Sequence, residues 1–449
     1  MTSENVLFNL LFPLKKTLRS RTAAWVCVAV LAANVCAQTA AQPTGQASTP
    51  TLRQALDAAW QLSPSARAEG SRRSEFAARD RAASSWISGS PAVGIAHRTD
   101  RLNRNEGFRE YEAEVELPLW NPGVRAATQA DVSAQRAGFD GQFNAARLKL
   151  AGELRLAAAN IATARVDRDL NQRKLQDANV LVQDISRRVK AGENARVDAL
   201  LAQVVMQQAQ AALAQAEGQV ERTQSLWRGL TGLASVPALD EPLVNVNVNV
   251  NANANVNVNG DQAVVVSSAQ PIASVHPALR LAQAQVNSAQ AKLTLVDADR
   301  RDPMSVGVGV GRERSVFAAP SETRLRIALR IPLGGDNRNA PRQAAARAEL
   351  DAAQAELDAL QRQVPAEIAA ATAELGAARM SQTAAAERNR LSQEVQTLIT
   401  KSWRLGDSDL PTRLRADNEQ FEASLALAKA TVEVQRAVAN LNQANGILP

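Results

Sequence analysis

Arg109-Glu-Tyr-Glu-Ala-Glu-Val-Glu-Leu-Pro-Leu119 alternates strictly: Tyr111, Ala113, Val115 and Leu117 are interleaved with Glu110, Glu112, Glu114 and Glu116. Successive side chains of a strand point to opposite faces, so this segment predicts one apolar face and one lined by carboxylates. Its length is that of a membrane-crossing strand, ~9–11 residues. Its end, Val115-Glu-Leu-Pro-Leu119, returns as Leu329-Arg-Ile-Pro-Leu333, 214 positions later. There Leu325, Ile327, Leu329 and Ile331 alternate with Arg324, Arg326, Ala328 and Arg330.

Other landmarks return in the same order. Ser63-Pro64 is answered by His276-Pro277, Pro91-Ala-Val-Gly-Ile-Ala by Pro303-Met-Ser-Val-Gly-Val-Gly-Val, and Arg188-Val-Lys-Ala-Gly192-Glu193 by Ser402-Trp-Arg-Leu-Gly406-Asp407. The chain therefore states one unit twice: helix, strand, loop, strand, very long helix, glycine turn, helix. We expect strands near 91–99, 109–118, 303–312 and 322–332, and glycine turns at 190–196 and 404–410. The first repeat occupies 38–235 and the second 270–449. From Val124 to Lys190 no proline intervenes, so a helix of roughly 100 Å is permitted at 1.5 Å per residue. Ala344–Trp403 reads likewise, with a kink expected at Pro365. Helices of this length imply coiled-coil packing.

Between the repeats, 236–269 includes an alternating Asn-Val run from Asn245 to Asn259. It falls at the seam and reads as a low-complexity linker, or as an added edge strand.

Composition agrees with long, closely packed helices: 45% of the 449 residues are hydrophobic but only 3% aromatic. Of the formal charge of +6, Lys15, Lys16, Arg19 and Arg21 against Glu4 supply half. No concentrated basic patch remains, which argues against a nucleic-acid partner. Residues 1–37 read as a signal peptide, with a basic segment, an apolar run from Ala23 to Ala33 and Val35-Cys36-Ala37 before Gln38. A lipid anchor at Cys36 is the alternative, although that anchor wants a small residue where Val35 stands. Both cysteines, Cys27 and Cys36, lie in this leader, so the mature chain has no disulfide or thiolate metal site.

A soluble antiparallel sheet with one solvated face gives the same alternation as a lipid-facing barrel with a wet interior. The signal peptide, and Trp86 and Trp120 flanking the first hairpin as an interfacial belt would, favour the membrane. Four strands cannot close a barrel, and open edges in lipid leave backbone groups unpaired. Partner chains are therefore required, and a cyclic trimer supplies twelve strands. If the glutamate and arginine rows lie on neighbouring strands of one lumen, they pair across it.

Taken in order, these features resemble the TolC family of outer-membrane efflux ducts from about Leu52 to Leu448. Thr51-Leu-Arg-Gln-Ala-Leu-Asp-Ala-Ala-Trp with Ser63-Pro64 is similar to the family's opening helix. Leu117-Pro-Leu-Trp-Asn-Pro-Gly-Val-Arg125 and Ile331-Pro-Leu-Gly-Gly-Asp336-Asn-Arg-Asn339 look most like its heavy-metal, CzcC-like branch. The resemblance implies a mainly α protein with a transmembrane β-barrel: a homotrimer whose twelve-stranded barrel sits in the outer membrane above a periplasmic α-helical barrel. The seam would lie in its equatorial region. Glu110, Glu112, Glu114, Glu116, Arg324, Arg326 and Arg330 would line the lumen. The glycine turns would form a periplasmic tip that meets an adaptor, with an inner-membrane proton-driven pump behind it.

Gly192-Glu-Asn-Ala-Arg-Val-Asp198 matches the first tip motif, with Asp198 as its acidic residue. The second, around Gly406, departs from the best-known member: Thr412 and Arg415 stand where that member has acidic aperture residues, and Trp403 replaces an aromatic gate residue. An acidic gating ring is not expected here. The implied function is an exit duct for divalent heavy-metal cations, or for drugs and other small molecules, without a cofactor or bound metal.

The rival classes fit less of the chain. The two histidines, His97 and His276, lie far apart, and H-E-x-x-H, G-x-S-x-G and Walker motifs are missing. In Gly307-Val-Gly309-Val-Gly311 a nucleotide loop would need its next glycine where Arg312 stands. A periplasmic adaptor has one helical hairpin flanked by split β-domains, whereas this unit repeats with strands at both hairpin bases.

Overall fold

A computed structural model describes residues 50–246, 264–266, 276–334 and 336–449. The signal peptide and most of the Asn-Val run lie outside the described residues. Of that run, Val244–Val246 (β3) pairs in parallel with Val264–Val266 (β4).

The first repeat begins with two helices capped by side chains. Thr51 caps α1 (Leu52–Leu62) in a reciprocal capping box with Gln54, which satisfies two otherwise orphaned N–H groups. Ser63 caps α2 (Pro64–Ser84), and its repeat equivalent His276 precedes α5 (Pro277–Ala298). Proline at the first helical position has no N–H to orphan, which suits both starts.

The expected strands form at β1 (Ala92–Thr99), β2 (Arg109–Leu119), β5 (Met304–Arg314) and β6 (Glu322–Arg330). They make one antiparallel sheet in the order β1-β2-β5-β6. The long helices are α3 (Val124–Ala191) and α6 (Asp336–Leu405), followed by α4 (Arg196–Thr231) and α7 (Leu410–Ala444). Helix α6 starts earlier than its pattern suggested and runs unbroken through Pro341 and Pro365. Each proline removes one backbone donor without ending a helix that packs against α5 in its first part and α7 in its second.

The repeats interlock. Near the sheet the helices lie in the order α2-α3-α5-α6; toward the glycine turns the order is α4-α3-α7-α6. Four of the few aromatic side chains, Trp60, Phe143, Phe139 and Phe76, stack in succession at centroid distances of 4.9, 5.4 and 5.5 Å and fasten α1 and α2 to α3. The main core joins Leu52, Leu56 and Ala59 of α1 to Leu154, Ala158 and Ile161 of α3, Trp227 of α4 and Ala439 of α7. Alanine at so many of these positions lets helix axes approach closely.

One charged group sits inside this core. The Arg155 side chain is 2% exposed; it donates to both Glu241 oxygens, with Nε 2.9 Å from Oε1 and Nη2 2.8 Å from Oε2. It also donates to Gln443 Oε1 at 2.6 Å and to the Ile447 carbonyl at 3.1 Å. Arg155 thus ties the middle of α3 to the segment after α4 and to the chain's last residues. Removing one partner of a buried pair leaves an uncompensated charge, at a cost of about 3–5 kcal/mol. Glu241→Ala is therefore expected to lower stability by about that much in denaturant unfolding followed by circular dichroism. A loss under about 1 kcal/mol would mean that water already reaches Arg155.

Candidate functional site: the charged sheet face and the two glycine turns

The register sorts the strand residues into two faces. Across the four strands Val93, Val115, Val308 and Ile327 form one row, and Ile95, Ala113, Val310 and Leu325 the next. These side chains are exposed: Ile95 at 84%, Leu325 at 71% and Ile327 at 73%. Trp86, 66% exposed, and Trp120, whose Nε1 donates to the Ser85 carbonyl at 2.9 Å, lie at the end of this band nearer the helices. At the far end Tyr111 stacks on His97 at 4.4 Å. Apolar side chains are thus bare, while the glutamates of β2 on the opposite face are half-buried, the reverse of a soluble sheet.

On that opposite face Glu110, Glu112, Glu114 and Glu116 share their side with Glu313, Glu322, Arg98, Arg324, Arg326 and Arg330. The glutamate and arginine rows are not on neighbouring strands, because β5 lies between β2 and β6. Two strand spacings are about 10 Å, yet Arg326 Nη1 reaches Glu112 Oε1 at 2.8 Å. The intervening positions are Gly309 and Gly311, so no side chain stands in the path. A Cβ at Gly307 would fall 2.2 Å from Glu114 Oε1, so that glycine makes room for the carboxylate. Arg324 pairs instead with Glu313 and Glu322 at 2.8 and 3.1 Å, Arg98 with Glu110 at 3.3 Å, and Glu116 accepts from the Ser305 hydroxyl. Among the described residues this face carries six carboxylates against four guanidiniums.

The glycine turns repeat in atomic detail. Gly192 and Gly406 have φ of 81° and 87°, left-handed values that favour glycine. Gly192 N–H donates to Val189 and Glu193 N–H to Arg188; Gly406 N–H donates to Trp403 and Asp407 N–H to Ser402. Asp198, in the first turn of α4, accepts from Asn194 Nδ2 at 3.0 Å. Asp409 caps α7 by accepting from Thr412 N–H at 3.0 Å; the Thr412 hydroxyl first, and then this N–H, hold its carboxyl below the ordinary range, with Arg415 adding to the effect. Arg415 is exposed.

Trp403 is 5% exposed and packed with Leu181, Ile185, Ala202 and Leu410. Its ring lies between two guanidiniums, Arg188 at 4.2 Å and Arg413 at 4.1 Å. Burial lowers the pKa of Arg413, offset by Asp417 and Asp184. Arg188 and Arg413 were not singled out from the sequence. The signal was available in the repeat, since Val189, equivalent to Trp403, packs against the same cluster.

Residues 270–446 match the family model described as outer membrane efflux protein. No curated protein matches the chain. Among solved structures, the outer membrane protein VceC from Vibrio cholerae superposes with a TM-score of 0.66 at 15% identity, covering 88% of this chain and 96% of that one. The Campylobacter jejuni CmeC outer membrane channel gives 0.68 at 13% identity over 88% and 85%. CusC gives 0.66 at 14% over 88% and 92%. The chain therefore has the fold of these outer-membrane channels: long helices joined to a small antiparallel sheet.

Each Arg–Trp contact contributes about 0.5–2 kcal/mol, so Trp403→Ala is expected to loosen the turns locally. Amide exchange over 181–189 and 410–414 should speed up at least tenfold while the core around Leu154 stays protected. Equal protection in both proteins would show that the Trp403 cluster does not hold the hairpins together.

Proposed function

We propose that the protein is the outer-membrane exit duct of a tripartite efflux system, a homotrimer that performs no chemistry. The carrying observation is the inverted sheet, with a bare apolar face, a charged opposite face and two open edges. An apolar-out, polar-in sheet is what a barrel in lipid requires, and unpaired edges in hydrocarbon are too costly to persist. The sheet ends in β1 and β6, and the helices near the turns end in α4 and α6. The same two outer helices carry exposed apolar side chains: Val197, Leu200 and Val204 on α4, and Leu391, Val395, Leu398 and Leu405 on α6. The α6 set has coiled-coil spacing. Strand edges and helix seams thus ask for the same neighbours, and three copies give twelve strands around one lumen.

On this reading the charged face lines the lumen, and its excess of carboxylates favours cations. The glycine turns are the tip at which a periplasmic adaptor docks, with the proton-driven pump beyond it. Trp403 acts there by clamping hairpins together, while Thr412 and Arg415 leave the tip without an acidic ring. Divalent heavy-metal cations are the cargo we favour, on the acidic lumen and the CzcC-like phrases around Leu117 and Ile331. Drug efflux through the same duct is the second reading, and the match to efflux proteins accommodates it equally.

Reconstituted in planar bilayers, the protein should conduct with a modest preference for cations, and R324E/R326E/R330E should move the reversal potential further toward the cation limit. Identical selectivity would remove these residues from the lumen; no conductance at all would remove the duct.

Cargo is read separately. A deletion strain grown on zinc, cobalt, nickel, cadmium, copper, dyes and antibiotics should be hypersensitive to metals alone and rescued by the gene. Sensitivity confined to organic compounds would replace metal with drug.

A further inference from the structure

Beyond the apolar rows, at the strand ends remote from the helices, the outward face changes character. Arg109 stands directly opposite Arg314, and Tyr111 opposite Arg312. The three arginines share the face of Val115 and Val310. Like charges directly opposite on adjacent strands repel, and no salt bridge joins any of the three to a carboxylate among the described residues. The nearest acids in sequence, Glu110 and Glu313, point to the other face and pair there with Arg98 and Arg324.

We propose that Arg109, Arg312 and Arg314 bind the phosphate of an anionic lipid headgroup in the leaflet farther from the helices. The inference rests on the sheet being embedded in a membrane. Guanidinium forks match phosphate oxygens bidentately, and a phosphate between Arg109 and Arg314 converts their repulsion into two attractions. Continuity with the apolar band selects a lipid over a free anion. One strand pair of residues spans about 7 Å. The Arg312 row is therefore one such step, and the Arg314 row two, from the first apolar row at Ala113 and Val310. A headgroup bound there would lay its acyl chains on Ile95, Val310 and Leu325.

The site is also built rather than accidental. Arg314 Nε donates to the Gly107 carbonyl at 3.3 Å, and its guanidinium lies 5.8 Å from the Phe317 ring centre. Phe317 N–H donates to the Glu106 carbonyl at 2.9 Å, latching the two hairpin loops together. Gly107 has φ of 103°, and a Cβ there would meet Phe317 N at 2.4 Å, so no other residue allows this closure. Asp100 fixes the same loop by accepting from the N–H groups of Glu106 and Gly107 at 2.6 and 3.1 Å.

The test uses the full chain in phosphatidylcholine nanodiscs, with native mass spectrometry counting bound bisphosphorylated lipid A against the same lipid with its phosphates removed. The phosphorylated form should bind at least tenfold more tightly, and R109Q/R312Q/R314Q should bring it to the dephosphorylated level. Arg312→Gln alone, at an exposed position without hydrogen-bond duties, should lose severalfold and covers misfolding of the triple variant. Unchanged discrimination in either correctly folded variant overturns the site. Competition by inorganic phosphate at concentrations equal to the lipid would make it a free-anion site and overturn the lipid assignment. Conductance in neutral bilayers separates the premises: if it persists while discrimination is absent, the headgroup site alone falls, and if the unaltered protein does not conduct, the membrane reading falls with it.

Discussion

Backbone hydrogen bonding at the two sheet edges governs what this chain can be. Strands β1 and β6 each have one neighbour among the described residues. Their apolar side chains face outward, among them Ile95, Leu325 and Ile327. In water, such a face would invite aggregation and the edges would template it. In lipid, the face is at home and the edges are intolerable. Only closure with further strands satisfies both, and β3 and β4, a separate pair, do not supply them. Because α4 and α6 also end the helical layer, with exposed Leu200 and Leu398, lateral neighbours that close the sheet would close the helices in the same step.

The duplication uses one backbone plan twice. Equivalent glycines make equivalent left-handed turns, with the same pair of backbone bonds at Gly192 and at Gly406. Equivalent strands have diverged by face. The β2 row is glutamate, the β6 row arginine, and the β5 row glycine, so that charges separated by one strand meet across an empty floor, as Arg326 and Glu112 do. Side-chain volume sacrificed on β5 becomes reach for β6.

Strands, long helices and turns were legible because each rests on local periodicity or on glycine, and the repeat gave each a second reading. The β2 face separated by alternation alone. Strand adjacency was not legible: placing β6 beside β2 is as consistent with the pattern as the order observed, and only Gly307, Gly309 and Gly311 hinted that something must pass over β5. The start of α6 was read at Ala344 but lies at Asp336, so that Pro341 falls inside the helix. Trp403 was placed at the turn by sequence, but its partners Arg188 and Arg413 come from α3 and α7, and no local pattern joins them. Arg155 was invisible for the same reason, since its partners Glu241 and Gln443 lie on distant segments.

The distribution of charge bears on how a duct of this kind would discriminate. On the proposed reading, carboxylates exceed guanidiniums on the sheet face, while at the turns Thr412 and Arg415 stand where an acidic ring would otherwise form, with Arg188 and Arg413 nearby. Arg188 and Arg413 stack on Trp403 at 4.2 and 4.1 Å and pair with Asp184 and Asp417 at 3.5 and 3.6 Å, so as neutralised pairs they add little field to an opening. Arg415 is exposed, as are Lys190, Arg196, Lys401 and Arg404 near the turns, against Glu193, Asp407 and Asp409. A cation leaving through such a duct would therefore meet a repulsive constriction first and an attractive exit after it. That gradient needs no binding site along the way: it opposes resting leakage of cations at the closed tip and leaves passage, once the tip is opened, to the wide acidic lumen.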